Sequence, residues 1–369
     1  MGKNIIIILI LLIGLGGLLF WQASRQQVLV EPQISQSSLT GTKQFDQEIS
    51  PSASKNSVGA QTQKRRVSMD GTRYDSVESK KIMITDGVKH SVPLDEIIGG
   101  GPPKDGIPSI DNPKFISFQE ANKTLPDNEP GIALEIGSVS RFYPFQILVW
   151  HEIVNDIVGG KQALITYCPL CLSGIVFDPL VNGERVEFGT SGKLWNSNLV
   201  MYDRKTDSLW SQILGEAIMG EQTGKQLAVL PSDQIRFGEW KKLHPNGEVL
   251  SRDTGAERFY GQDPYGDYYT TPGTFFPVGK QDSRLPEKEF ILGIVINGKA
   301  KAYWPPAVKK TGKIEDVFQG KTIVAEYEKN IDAVRLFEKK SNGTLERINP
   351  FGAFWFSWAA AHPDTELYK

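Results

Sequence analysis

"ITYCPLCLSGIVFD", residues 165–178, holds Cys168 and Cys171, the two cysteines of a 369-residue chain. Alone, the stretch is ambiguous: a C-x-x-C pair suits a disulfide, a redox couple or half of a metal site. Its surroundings give it a shape. Slid by 160 positions, "VSRFYPFQILVWHEIVNDIVGGKQALITYCPLCLSGIVFDPLVNG" aligns without gaps on "KAKAYWPPAVKKTGKIEDVFQGKTIVAEYEKNIDAVRLFEKKSNG". Tyr143 meets Tyr303, Asp156 meets Asp316, Gly160-Lys161 meets Gly320-Lys321, and Tyr167 meets Tyr327. In the second copy "TIVAEYEKNIDAVRLFE" reads as two alternating strands around the turn "EKNID". The first copy should share that hairpin, with the cysteines at its tip. The reading is a mainly β, β-rich α+β fold of two related units, about 131–188 and 291–348.

Other segments agree with short strands and turns. "NLVMYDRKTDSLWSQ" reads as a hairpin turning at Arg204 to Asp207, and "VINGKAKAYW" turns at Asn297-Gly298. "LDEIIGGGPPKDGIPSIDNPKF" is a structured loop by its glycines and prolines. "PFGAFWFSWAAAHPDTELYK" predicts a C-terminal helix from about Phe351 to Ala361, stopped by Pro363.

The N-terminus sets the compartment. Ile5 to Trp21 is an unbroken run of apolar residues and glycines, roughly 25 Å long as a helix. It lacks a small-x-small cleavage site, so residues 1–24 read as an uncleaved membrane anchor, with secretion after cleavage the alternative. Residues 25–81 are polar and aperiodic, a disordered tether. The globular domain, 82–369, is then expected on the extracytoplasmic side, where disulfides persist. A net charge of −2 offers no basic excess for nucleic acid. No phosphate loop marks a nucleotide cofactor: "FGTSGKLWNSN" lacks the Gly-Lys-Ser/Thr ending. No protein partner can be named.

Three chemistries fit the cysteines. A four-residue disulfide loop would add only roughly 2 kcal/mol, little for a domain of this size. A thiol–disulfide enzyme would use the same C-P-x-C pair, but "LSGIVFDPLVNG" follows it without the helix a thioredoxin needs. A soft metal, copper or zinc, would take Cys168, Cys171 and His151 as ligands. The second copy has Thr311, Gly312, Glu328 and Ile331 where the first has His151, Glu152, Cys168 and Cys171. Their joint presence in one copy links them. Glu152, Asn155 or Asp156 would orient the ligands. Met201 and His362 are weaker ligand candidates, a core methionine and a helix-end histidine being the plainer readings. Trp195, Tyr202 and Trp210 leave room for a non-catalytic binding module with an aromatic groove.

"GGGPPKDGIPSIDNPKF", "YPFQILVWHEIVND", "TYCPLC", "GTSGKLWNSNLVMYDRKTDSLWSQ" and "FWFSWAAAHPDTELY" together resemble the domain-of-unknown-function family 3179, from about Leu94 to Tyr368. The resemblance implies an exported or membrane-attached protein of unassigned activity. The family pattern reads C-P-L-C-G, and Leu172 departs from it.

Overall fold

The computed structural model describes residues 82–369. The expected anchor and tether lie outside the described residues. Among the described residues no helix is long and apolar enough to cross a membrane.

Alternating apolar residues build the first unit. Strands β1 (Pro130–Ile136) and β2 (Val139–Pro144) pair antiparallel across the turn at Gly137. A single helical turn, α1 (Phe145–Leu148), leads to β3 (Ile153–Val158). Next come β4 (Lys161–Cys168) and β5 (Ser173–Asp178), a hairpin whose two strands are almost wholly buried. After a long excursion the chain returns through β6 (Ala228–Val229), β7 (Ser232–Arg236), helix α2 (Phe237–Leu243) and β8 (Glu248–Leu250). Two sheets result. One runs β7-β1-β2-β8 and is widened by Phe115–Ser117; the other runs β6-β5-β4-β3.

The second unit repeats this order. Its strands are β9 (Phe290–Ile296), β10 (Lys299–Tyr303), β11 (Lys313–Phe318), β12 (Lys321–Glu328), β13 (Ala333–Lys339), β14 (Leu345–Ile348), β15 (Phe351–Phe354) and β16 (Glu366–Tyr368). Helix α3 (Pro305–Thr311) stands where α1 does, and α4 (Trp355–Ala361) where α2 does. The sheets are β15-β9-β10-β16 and β11-β12-β13-β14. Even the parallel pairing recurs, β8 on β2 and β16 on β10.

The polar anchor of each unit is duplicated too. Asp156 accepts from Arg141 at 2.8 Å and from the Tyr143 hydroxyl at 2.5 Å, and Arg141 also meets Glu248 at 3.1 Å. Asp316 lies 2.6 Å from Lys301 and 2.9 Å from the Tyr303 hydroxyl, and Lys301 meets Glu366 at 3.2 Å. A buried carboxylate needs such partners.

The expected mainly β fold is thus present, with a helix near the C-terminus. The helix is shorter than expected: Phe351–Phe354 is strand β15, and α4 begins at Trp355. The run "FGAF" is apolar on both faces because the strand is buried on both.

Two segments have no counterpart in the second unit. Between β5 and β6, residues 188–195, 198–203, 209–211 and 216–219 form a sheet completed by 83–85, 88–90 and 97–99. The hairpin turning at Arg204–Asp207 is part of it. Between the units, residues 251–289 run without strands or helices and carry Tyr260, Tyr265, Tyr268 and Tyr269. A cavity of about 380 Å³ lies where the two units meet. Corresponding residues line it from both, Phe145 with Pro305 and Gly174 with Val334.

Candidate functional site: a buried dithiol

Cys168 ends β4, and Pro169–Cys171 makes one 3-10 turn before β5 begins at Ser173. Cys168 is opposite Ser173 in the ladder, so the cysteines do sit at a hairpin tip. Proline at the first turn position fits the helical φ and gives up no needed N–H. Leu172 closes the turn in the left-handed region, φ 47°. That conformation favours glycine and costs Leu about 1–2 kcal/mol.

The two sulfurs are 3.2 Å apart and buried, and both thiols are free. The Cys171 thiol donates to the Ser197 carbonyl at 3.2 Å, and Asn198 Nδ2 donates to its sulfur at 3.3 Å. Asn198 also donates to Gln212 Oε1 at 3.0 Å, and Gln212 Nε2 reaches the Ser173 carbonyl at 3.0 Å. This amide network comes from the inserted sheet. The hairpin supplies the sulfurs; the insertion packs against their tip and fixes Cys171. From the other side the Tyr268 hydroxyl donates to the Leu170 carbonyl at 2.9 Å. Burial pushes the Cys168 thiol well above its ordinary value, and Cys171 and the charge of Glu152 push it the same way.

Glu152 is 8% exposed, and its backbone is left-handed at φ 59°. Burial raises its carboxyl to about 8. Burial also pushes up the Tyr265 hydroxyl, and Glu152 and Cys168 act on it next.

His151 has a partner at each ring nitrogen. Its Nδ1 donates to the Pro108 carbonyl at 2.7 Å, and its Nε2 accepts from the Tyr260 hydroxyl at 2.6 Å. Burial lowers its pKa, which keeps the ring neutral. Both ring nitrogens are occupied, so a metal bond would require one of these to break. Among the described residues no three His, Cys, Asp or Glu side chains converge as a metal-holding group.

The remaining candidates have visible structural partners. Asn155 donates to Asp111 and to the Phe188 carbonyl and accepts from the Phe188 amide, tying β3 to the insertion. Asp156 belongs to the ion-pair cluster found in both units. Met201 is buried in the inserted sheet opposite Trp210. The His362 ring lies on Trp358, centroids 4.1 Å apart, as His244 lies on Trp240 at 5.7 Å. Trp195, Tyr202 and Trp210 are buried. The sequence reading missed Asn198, Gln212, Ser197 and Tyr268. They lie far from the cysteines along the chain; Ser197, Asn198 and Gln212 fall in the quoted motif at 189–212, which carries no chemical signature, and Tyr268 falls in none.

The family described as a protein of unknown function (DUF3179) matches residues 104–365, and the chain belongs to it. No curated protein and no solved structure matches the chain.

Proposed function

We propose that this family member is a thiol–disulfide redox module, held by its N-terminal anchor at the extracytoplasmic face of a membrane. The observation that carries the reading is the 3.2 Å separation of Cys168 and Cys171 Sγ in a turn whose second-unit counterpart has no cysteine. A disulfide needs about 2.05 Å, so bond formation asks for a shift of little more than 1 Å. The chemistry is a two-electron exchange. The Cys168 thiolate attacks a partner disulfide, and one partner thiolate leaves. Cys171 then attacks the mixed disulfide, closing Cys168–Cys171 and releasing the second partner thiol. Both thiol protons end on the partner's sulfurs; the partner is reduced and the module oxidised. The burial of both sulfurs favours a slow, selective exchange in which the tyrosine-bearing segment must first move.

The test is a redox titration of the full-length chain against dithiothreitol, with alkylation scoring the free thiols. A cycling pair has a midpoint between about −120 and −300 mV. A midpoint below this range would make the bond a permanent staple. Stoichiometric copper or zinc, lost on Cys168→Ser, would make the sulfurs ligands and end the redox reading.

A further inference from the structure

Glu152 occupies a place that is unfavourable twice over. Its left-handed backbone costs a side-chain-bearing residue about 1–2 kcal/mol. The residue is only 8% exposed, and burial is what raises its carboxyl. The second unit shows what the fold itself asks for at this position: Gly312, with φ 80°. The two residues follow equivalent helices. Their carbonyls accept equivalent amides, that of Tyr167 at 2.7 Å and that of Tyr327 at 2.8 Å. A glycine is sufficient for the turn. Strain and a desolvated acid persist where the surrounding structure and a function hold them in place.

The backbone brings this residue against the strand that carries Cys168, and the charge of Glu152 acts on the Cys168 thiol. The amide bound to the Glu152 carbonyl belongs to Tyr167, the residue before Cys168. Burying two negative charges together is costly, while passing one charge between two buried groups adds none. We propose that Glu152 exchanges a proton with the Cys168 thiol: the carboxylate takes it as the thiolate forms and returns it to the partner thiolate that leaves. This rests on the redox reading above. Cys171 acts on Cys168; Cys168 in turn acts on Tyr167, Tyr265, Tyr268 and Tyr269, Glu152 acts on Tyr265, and Asp263 acts on Tyr167, Tyr265 and Tyr269. Burial pushes all four tyrosines up, so they stay neutral across the working range. His151, next in the chain, is engaged by Pro108 and Tyr260, with the Arg258 charge acting on it.

The experiment follows the reaction of the reduced full-length chain with 4,4′-dithiodipyridine, a small disulfide, from about pH 5 to 10. In the native protein the rate should rise through a step near 8, where the carboxyl ionises. Glu152→Gln keeps the size and the strain; it should remove the step and slow the reaction at least tenfold at the plateau. Glu152→Gly should do the same while resisting urea better than the native chain, which separates lost chemistry from lost folding. Glu152→Asp should restore part of the rate. Native pH profiles in both the Gln and Gly variants, or a native chain whose thiols never react, overturn the assignment. The dithiothreitol midpoint is read separately, so a failure of cycling is distinguishable from a failure of the proton exchange.

Discussion

The Tyr268 hydroxyl donates to the Leu170 carbonyl, 2.9 Å away, and so ties the segment between the two units to the turn that carries the thiols. Lys288 holds the tyrosine in turn. Its Nζ lies 3.6 Å above the ring and donates to the Thr271 carbonyl at 2.7 Å. At the second hairpin tip Glu328, which stands in the place of Cys168, bonds Arg335. Tyr268→Phe keeps the ring and removes the tie. Stability should fall by about 1 kcal/mol in urea. Thiol modification by dithiodipyridine should quicken several-fold, since opening of the cover precedes the reaction. An unchanged rate would mean that the sulfurs are reached by another path.

A second approach would start from the cavity between the units. Leu172 lines it and directly follows Cys171. Leu172→Gly relieves a left-handed residue of about 1–2 kcal/mol of strain and removes a half-buried side chain of similar worth. Net stability should therefore move by less than about 1 kcal/mol. Thiol reactivity should nonetheless rise if that approach is used, because a side chain lining the cavity next to Cys171 is gone. Leu172→Thr gives the contrast: a β-branched residue in this backbone should cost more than about 2 kcal/mol. Equal stabilities for the two variants, measured by urea denaturation, would show that the turn is not strained at Leu172.

The duplicated ion-pair clusters allow an internal comparison. Asp156 has a side chain 5% exposed, against 21% for Asp316. Asp156→Ala should cost about 2–3 kcal/mol: Arg141 keeps Glu248 and the Ile157 carbonyl, but the buried Tyr143 hydroxyl loses its acceptor. Asp316→Ala, in the wetter copy, should cost about half that. Denaturation midpoints that rank the two the other way would mean that water reaches the Tyr143 hydroxyl freely.

The hairpin tip was legible because one gapless register, Tyr143 on Tyr303, carried the plain second copy onto the cysteine-bearing first. The rest of the repeat was hidden by a change of register. "FGEWKKLHPNGEVL" and "WFSWAAAHPDTELY" are equivalent, Trp240 on Trp358 and His244 on His362, but the inserted sheet breaks the offset between them and the hairpins. Without that second match, His362 read as a ligand candidate rather than as half of a repeated Trp–His stack. The joint presence of His151, Glu152 and the cysteines in one unit was visible, but spacing could not show which way each side chain faces. His151 points to Pro108 and Tyr260. The polar cage around Cys171 was illegible because Asn198 and Gln212 are brought in by β-pairing between distant segments, which leaves no local pattern.

The last prediction is thermodynamic and concerns Glu152. The folded carboxyl is raised to about 8 by burial, against 4.5 in the unfolded chain. Between those values the native state holds a proton that the unfolded state has lost. Stability from this group is therefore fully present below about 4.5 and is lost as pH rises toward 8, by on the order of 5 kcal/mol. His151 acts with the opposite sign. Burial lowers its pKa from 6.5, so the unfolded chain binds the extra proton, and stability falls as pH drops below that value. The native stability profile should combine both slopes. Glu152→Gln should remove the loss on the alkaline side and leave the acid limb intact. Subtracting the two urea-derived profiles cancels every other titrating group, including Glu129, whose carboxyl burial also raises. The difference should change steadily across the window from about 5 to 8, with the sign just given. A flat difference would mean that the Glu152 carboxyl is solvated in the native protein, and a solvated carboxyl has no reason to track the state of Cys168.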